Sequence, residues 1–229
     1  MNAVHGHAFP KVIDEICSLD WSALTSEEMM HVAWAYYYFS IQFRESLKTA
    51  RRLYPDDEKL VQLEREECDT DNLSPWPGVV EAGERVNHDE FMRRTLELCS
   101  VGAERSRFFA AVGEAYLAET RALDDQARAA SIASYEDGGL ERVFTAILRF
   151  EDWNNDLLRA FKHFLSMHVQ FDSDPDQGHG ALSRHIALDD RILPLWRAFK
   201  TLLVTCVPAL AGGAAPTEAG GEFEILSRS

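Results

Sequence analysis

The stretch LLRAFKHFLSMHVQFD, residues 157–172, decides the fold. Leu157, Phe161, Phe164, Leu165, His168 and Asp172 recur at the spacing of one stripe on a 3.6-residue helix. The stripe is apolar for three turns and then ends in an imidazole and a carboxylate. A helix that builds a core face therefore aims costly groups inward at its end.

Outward from this stretch the period remains helical. Pro10 suits the first turn of a helix over KVIDEICSL, and Thr25 with Glu28 forms a capping-box pattern ahead of a long aromatic-rich helix that Pro55 stops. Asp56 or Asp57 caps EKLVQLEREEC, the Pro/Gly-containing segment 69–86 is a loop, and Asn87 caps HDEFMRRTLELC. Further helical patterns cover 104–119 and 123–136, with an interruption at Gly138 and Gly139. A helix from about 140 follows, then the opening stretch, and a last helix over 181–207. No useful strand alternation and no repeat occurs. The expectation is an all-α, single-domain bundle of about seven or eight helices over 1–210, with 211–229 as a flexible tail in which FEIL could dock.

Composition narrows the function classes. At 229 residues, 46% hydrophobic and with a net charge of −15, the chain can bury a substantial core and carries no basic cluster or basic amphipathic face. This argues against nucleic acid or an anionic membrane as partner. The four cysteines, Cys17, Cys68, Cys99 and Cys206, form no CxxC pair, which fits a reducing cytoplasmic compartment. MNAVHGHAFPKV lacks a signal-peptide pattern, and TLLVTCVPAL is too short to span a bilayer.

Other helices repeat the inward placement. His88 shares a face with Phe91, Met92, Leu96 and Cys99; Glu67 continues the line of Leu60 and Leu63; Glu136 follows Ala129, Ile132 and Ala133. Taken singly, each has a bland explanation as a hydrogen-bonded core histidine or a solvated helix end. Jointly, several unpaired buried carboxylates would cost several kcal/mol each, and no lysine or arginine shares their stripes. A metal would offset that cost. Three carboxylates and three imidazoles suit two iron or manganese ions in a helical protein, and His168 with Asp172 has the i, i+4 geometry that lets one helix present two ligands.

The paired Glu-x-x-His motifs of ferritin-like proteins are missing. The residues resemble instead the haem-oxygenase-like diiron oxidases and oxygenases, fold relatives of the thiaminase-II and pyrroloquinoline-quinone synthase groups. The resemblance rests on EEC with Glu67 ahead of NHDEF with His88, on SYEDGG with Glu136, and on His168, Asp172 and His179 in the late helix. It covers roughly residues 27–207. It implies a haem-oxygenase-like bundle, a metal set of Glu67, His88, Glu136, His168, Asp172 and His179, two Fe(II) ions, and O2 as co-substrate. The implied reaction is oxidation of a small amine or amino acid, by N-oxygenation or oxidative C–C cleavage, with an external reductant; a homodimer is compatible with it.

Two departures leave alternatives open. Six residues, including Pro175 and Gly178, separate Asp172 from His179, so Asp174 or Asp176 could replace His179. Glu81, seven residues before His88, competes with Glu67, which is favoured because it ends a helix. Glu45, on a stripe with Trp34, Tyr38 and Ile41, is a candidate accessory ligand; His163 and His185 fall off the ligand stripes. Two further functional readings compete. A metal-independent thiaminase-like enzyme would need Cys68 or Cys99 as nucleophile, and a non-enzymatic helical interaction module would leave the inward acids unexplained.

Overall fold

In the computed structural model, residues 7–172 and 179–212 are described, with the side chain of Asp172 excepted. Thr25 and Glu28 form the capping box the sequence announces, and the helix it opens, α2 (Ser26–Leu53), stops just before Pro55. It is preceded by α1 (Phe9–Cys17) and followed by α3 (Glu58–Cys68), α4 (His88–Glu97), α5 (Ala103–Arg121), α6 (Asp125–Glu136), α7 (Gly139–Ile147), α8 (Asp156–Asp172), α9 (His179–Ser183) and α10 (Leu193–Cys206). The described chain is thus all-α. Of the two candidate caps for α3, Asp57 is the one whose carboxylate accepts from the Lys59 and Leu60 amides.

The α2 helix is the hub. It packs against α3, α4, α5, α6, α8 and α10, which is why residues all round it are buried and its amphipathicity is weak. Close approach of α5 depends on Gly113, where an added Cβ would lie 2.3 Å from the Tyr38 ring. Gly113→Ala is therefore expected to destabilise the fold by about 1–3 kcal/mol through overpacking, although alanine is the better helix former. A denaturant midpoint unchanged or raised would contradict this contact.

Two features differ from expectation. The single helix anticipated over 181–207 is two, α9 and α10, separated by a 3-10 turn at Asp190–Ile192. The Asp189 carboxylate accepts from the Arg191 amide, and Pro194, lacking an N–H, serves as a start for α10 rather than an interior residue. This split helps bring the count of α-helices among the described residues to ten, above the seven or eight expected. The long α3–α4 loop, in turn, is pinned. Thr70 and Val86 form an antiparallel bridge with N–H···O distances of 3.4 and 2.9 Å. His163 stacks on Trp76 and bonds the Leu73 carbonyl at 3.1 Å, tying the loop to α8.

No described helix is long and apolar enough to cross a membrane.

Candidate metal centre

The bridge between Thr70 and Val86 closes the loop so that the end of α3 meets the start of α4. Glu67 and His88, 21 residues apart in sequence, thereby come to 2.6 Å between Oε2 and Nδ1. From the other side α8 delivers His168, whose Nε2 is 3.0 Å from His88 Nδ1. The helix α9 places His179 Nδ1 3.0 Å from Glu67 Oε1 and 3.2 Å from Glu136 Oε2. All five residues are buried. Their donor atoms form two groups, Glu67–His88–His168 and Glu67–Glu136–His179, in each of which the atoms lie within 4.8 Å of one another. Glu67 belongs to both.

The tautomers are set by the surrounding bonds. Asn72 donates its amide to the Glu66 carbonyl at 3.1 Å, so its Oδ1 is free to accept from His88 Nε2, also at 3.1 Å. His168 donates Nδ1–H to the Phe164 carbonyl at 2.8 Å. Both outward nitrogens being protonated, the inward ones, His88 Nδ1 and His168 Nε2, carry lone pairs that face each other and Glu67. Three acceptors converging at this range require a cation, a metal ion or a proton, between them. The other oxygen, Glu67 Oε1, turns away from this trio to His179 Nδ1 at 3.0 Å.

Electrostatics agree. Glu67, Glu136 and His168 lie at or near the C-terminal ends of α3, α6 and α8, where the helix dipoles disfavour anions and favour cations. Burial opposes the charged form of Glu67, yet in the metal-free protein His88, when it carries the shared proton, and His179 beside it outweigh this and hold its carboxyl well below the usual range. Burial, reinforced by the charge of Glu67, pushes Glu136 up. Burial and the neighbouring His88 bring His168 down to about 3, so it stays neutral and able to ligate. Burial also opposes protonation of His179, but Glu67, Glu136 and Glu66 outweigh it and raise its pKa well above the ordinary value. Buried Glu/His clusters of this kind could hold a metal ion. No family model matches the chain, no curated protein matches it, and no solved structure matches it.

The remaining candidates fall elsewhere. Asp172 ends α8 one turn after His168, but its side chain, like Asp174 and Asp176, lies outside the described residues. Glu81 is exposed in the α3–α4 loop, where its amide donates to Glu84. Glu45 is turned to Arg121, which grips both carboxylate oxygens at 2.6 and 2.9 Å and holds its pKa down; the structure does not bring it to the cluster. His185 pairs with Asp57. Two residues were missed from the sequence. Glu66 reaches His179 Nε2 at 3.3 Å and Asn72 orients His88, and neither lies on a hydrophobic stripe that would have marked it.

Gly180 permits α9 to dock. A Cβ there would stand 3.0 Å from the Glu136 carbonyl, and the neighbouring Arg184 clasps Asp137 at 2.8 Å. His179 is thus fixed against the end of α6.

A pH dependence follows for the metal-free protein. The raised His179 pKa contributes stability that is complete below the unfolded histidine value of about 6.5 and is lost as pH rises through the folded value. The depressed values of Glu67 and His168 act on the other side: their contribution is present above the unfolded values and is lost as pH falls through the folded ones. The melting temperature of metal-free protein should therefore decline on the alkaline side, and bound metal, by taking the proton's place, should flatten that decline. A metal-free profile flat from neutrality to pH ~10 would contradict the arrangement.

Proposed function

We propose that this chain is a non-haem diiron oxygenase or oxidase that uses O2 to oxidise a small amine or amino acid. The observation that carries the reading is the pair of buried Glu/His groups joined through Glu67. Carboxylate and imidazole donors suit iron and manganese, and the resemblance noted in the sequence favours iron. Two ferrous ions held there would supply the electrons that reduce dioxygen, with an external reductant restoring them.

The chain's own residues then have definable tasks. Glu67 would serve both ions, His88 and His168 one of them, and Glu136 and His179 the other. Asn72, the Phe164 carbonyl and Glu66 hold the three imidazoles in their ligating orientation. Phe164, stacked on His168 at 4.2 Å between ring centroids, and Phe144 and Tyr36 around it keep bulk water from the imidazoles. Beside the cluster lies a cavity of about 20 Å³, lined by Tyr36, Ser40, Phe43 and Leu140 among others. That is room for about one water-sized molecule. The net charge of −15 favours the approach of cationic over polyanionic substrates.

The thiaminase-like alternative needs an activated thiol. Burial, with the charges of Glu67 and Glu64 nearby, pushes the Cys68 thiol up to about 12, opposite to what a nucleophile requires. Cys99 does not line the cavity.

The test is anaerobic reconstitution with Fe(II), followed by iron analysis and oxygen-electrode measurements with panels of amines, amino acids and fatty acids. The expected result is close to two irons per chain and O2 uptake accelerated by amines or amino acids. Protein that retains no iron, or that holds iron and consumes no O2, would overturn the proposal. Acceleration by fatty acids alone would overturn the substrate class.

A further inference from the structure

The cavity beside the cluster has a charged wall that the metal reading leaves unused. Arg44 of α2 and Asp89 of α4 both line it, joined by an ion pair of 2.7 Å between a guanidinium nitrogen and Oδ2. Each is incompletely satisfied. Arg44 Nε and Asp89 Oδ1 are buried without a hydrogen-bond partner, one an unmet donor and the other an unmet acceptor. Among the described residues lining the cavity, Arg44 and Cys68 are the most exposed, the Arg44 side chain at 26%, which points to a mouth on their side. The cavity is small, and admitting an organic molecule requires movement at this mouth.

We infer that Arg44 and Asp89 form a recognition pair for a zwitterion, with Arg44 taking the carboxylate and Asp89 the ammonium of an α-amino acid. This rests on the proposed reading of the cluster as the reactive centre. The physical reason is charge conservation in a buried place. Separating the pair for a simple amine would leave the partly buried Arg44 without its partner, and separating it for a simple acid would strand the buried Asp89; either leaves a poorly solvated charge uncompensated. A zwitterion brings both counter-charges at once. It exchanges one internal ion pair for two external ones and offers partners to the unmet donor and acceptor. A head group bound there lies against the cluster, because Arg44 and Asp89 line the same cavity as Glu67, His88, Glu136 and His168.

The experiment is calorimetric binding to protein loaded with zinc, which cannot reduce O2, so that recognition is read apart from turnover. The probes are the twenty common amino acids, each beside its decarboxylated amine and its deaminated acid. At least one amino acid is expected to bind at least tenfold tighter than both of its truncated relatives. Arg44→Met should erase the advantage over the amine, and Asp89→Asn the advantage over the acid. Since a single change leaves one charge buried alone, the paired variant Arg44→Met with Asp89→Leu serves as the folding-safe control. With helicity intact it should lose amino-acid binding altogether. Absence of amino-acid binding in zinc-loaded wild type, equal affinity for amine and amino acid, or unchanged binding in the paired variant would each overturn the inference. Zinc content, measured on the same samples, separates the two readings: protein without metal that still discriminates zwitterions through this pair refutes the metal centre alone, and metal-loaded protein that ignores them refutes the pair alone.

Discussion

Glu67→Ala is expected to abolish metal binding at both groups at once, taking iron content from near two per chain to near zero. The expectation comes from placement: Oε2 faces His88 and Oε1 faces His179, so a single carboxylate serves both sets of donors. Among the described residues its loss leaves His88 with His168 on one side and Glu136 with His179 on the other, two donors each. Other single changes should not act on both sides. His168→Ala should weaken only the group it shares with His88 and Glu67, and Glu136→Ala only the other. Metal analysis after anaerobic reconstitution and desalting reads this directly. If Glu67→Ala retained a full equivalent, the shared carboxylate would be refuted, and if His168→Ala lost both equivalents, the two groups would not be separable sites. Glu81→Ala, in an exposed loop, should behave as wild type in the same assay.

Asn72→Ala should weaken metal binding at the His88 group by about 10- to 100-fold, the usual consequence of removing the partner that fixes a histidine's tautomer. Asn72 acts twice: it accepts from His88 Nε2 and ties the loop to the Glu66 carbonyl. Without it, His88 can present a protonated Nδ1 to Glu67 and cease to be a ligand. Glu66→Ala should give the corresponding loss on the other side, through His179. Stepwise titration with Fe(II) distinguishes the two, since each variant should lose affinity in one step and keep the other. Equal affinity in wild type and Asn72→Ala would show that the loop orients His88 without this bond.

Why these residues escape a linear reading is instructive. His168 announces itself because it ends an apolar stripe, and Glu67, His88 and Glu136 do likewise; all four are buried. Hydrophobic period records which face of a helix leaves water, and any polar group on that face is conspicuous. Asn72 lies in a loop, where no period operates, and Glu66 lies beside the apolar line rather than on it. Glu45 is the opposite case. On α2, buried on several sides, a shared stripe carries little information, and the neighbouring helices bring Arg121 and Arg128 to it at the surface.

The distance along the chain between Glu67 and His88 was equally uninformative. Glu81 has the shorter spacing, yet the loop closes through Thr70 and Val86 and leaves Glu81 outside. Backbone bonds between residues far apart in sequence have no local signature.

By itself, then, the sequence determined that the described chain is helical, where most of its helices begin and end, and that Glu67, His88, Glu136 and His168 face inward. Those are properties of one segment at a time, governed by capping, periodicity and the cost of burying charge. Only the tertiary structure decided which inward groups meet. That five of them converge, that Glu67 is common to two groups, and that Asn72 and Glu66 orient the imidazoles depend on how the ends of α3, α4, α6, α8 and α9 pack together. Side chains at helix ends are positioned by neighbours from elsewhere in the chain, and a local pattern carries no record of them.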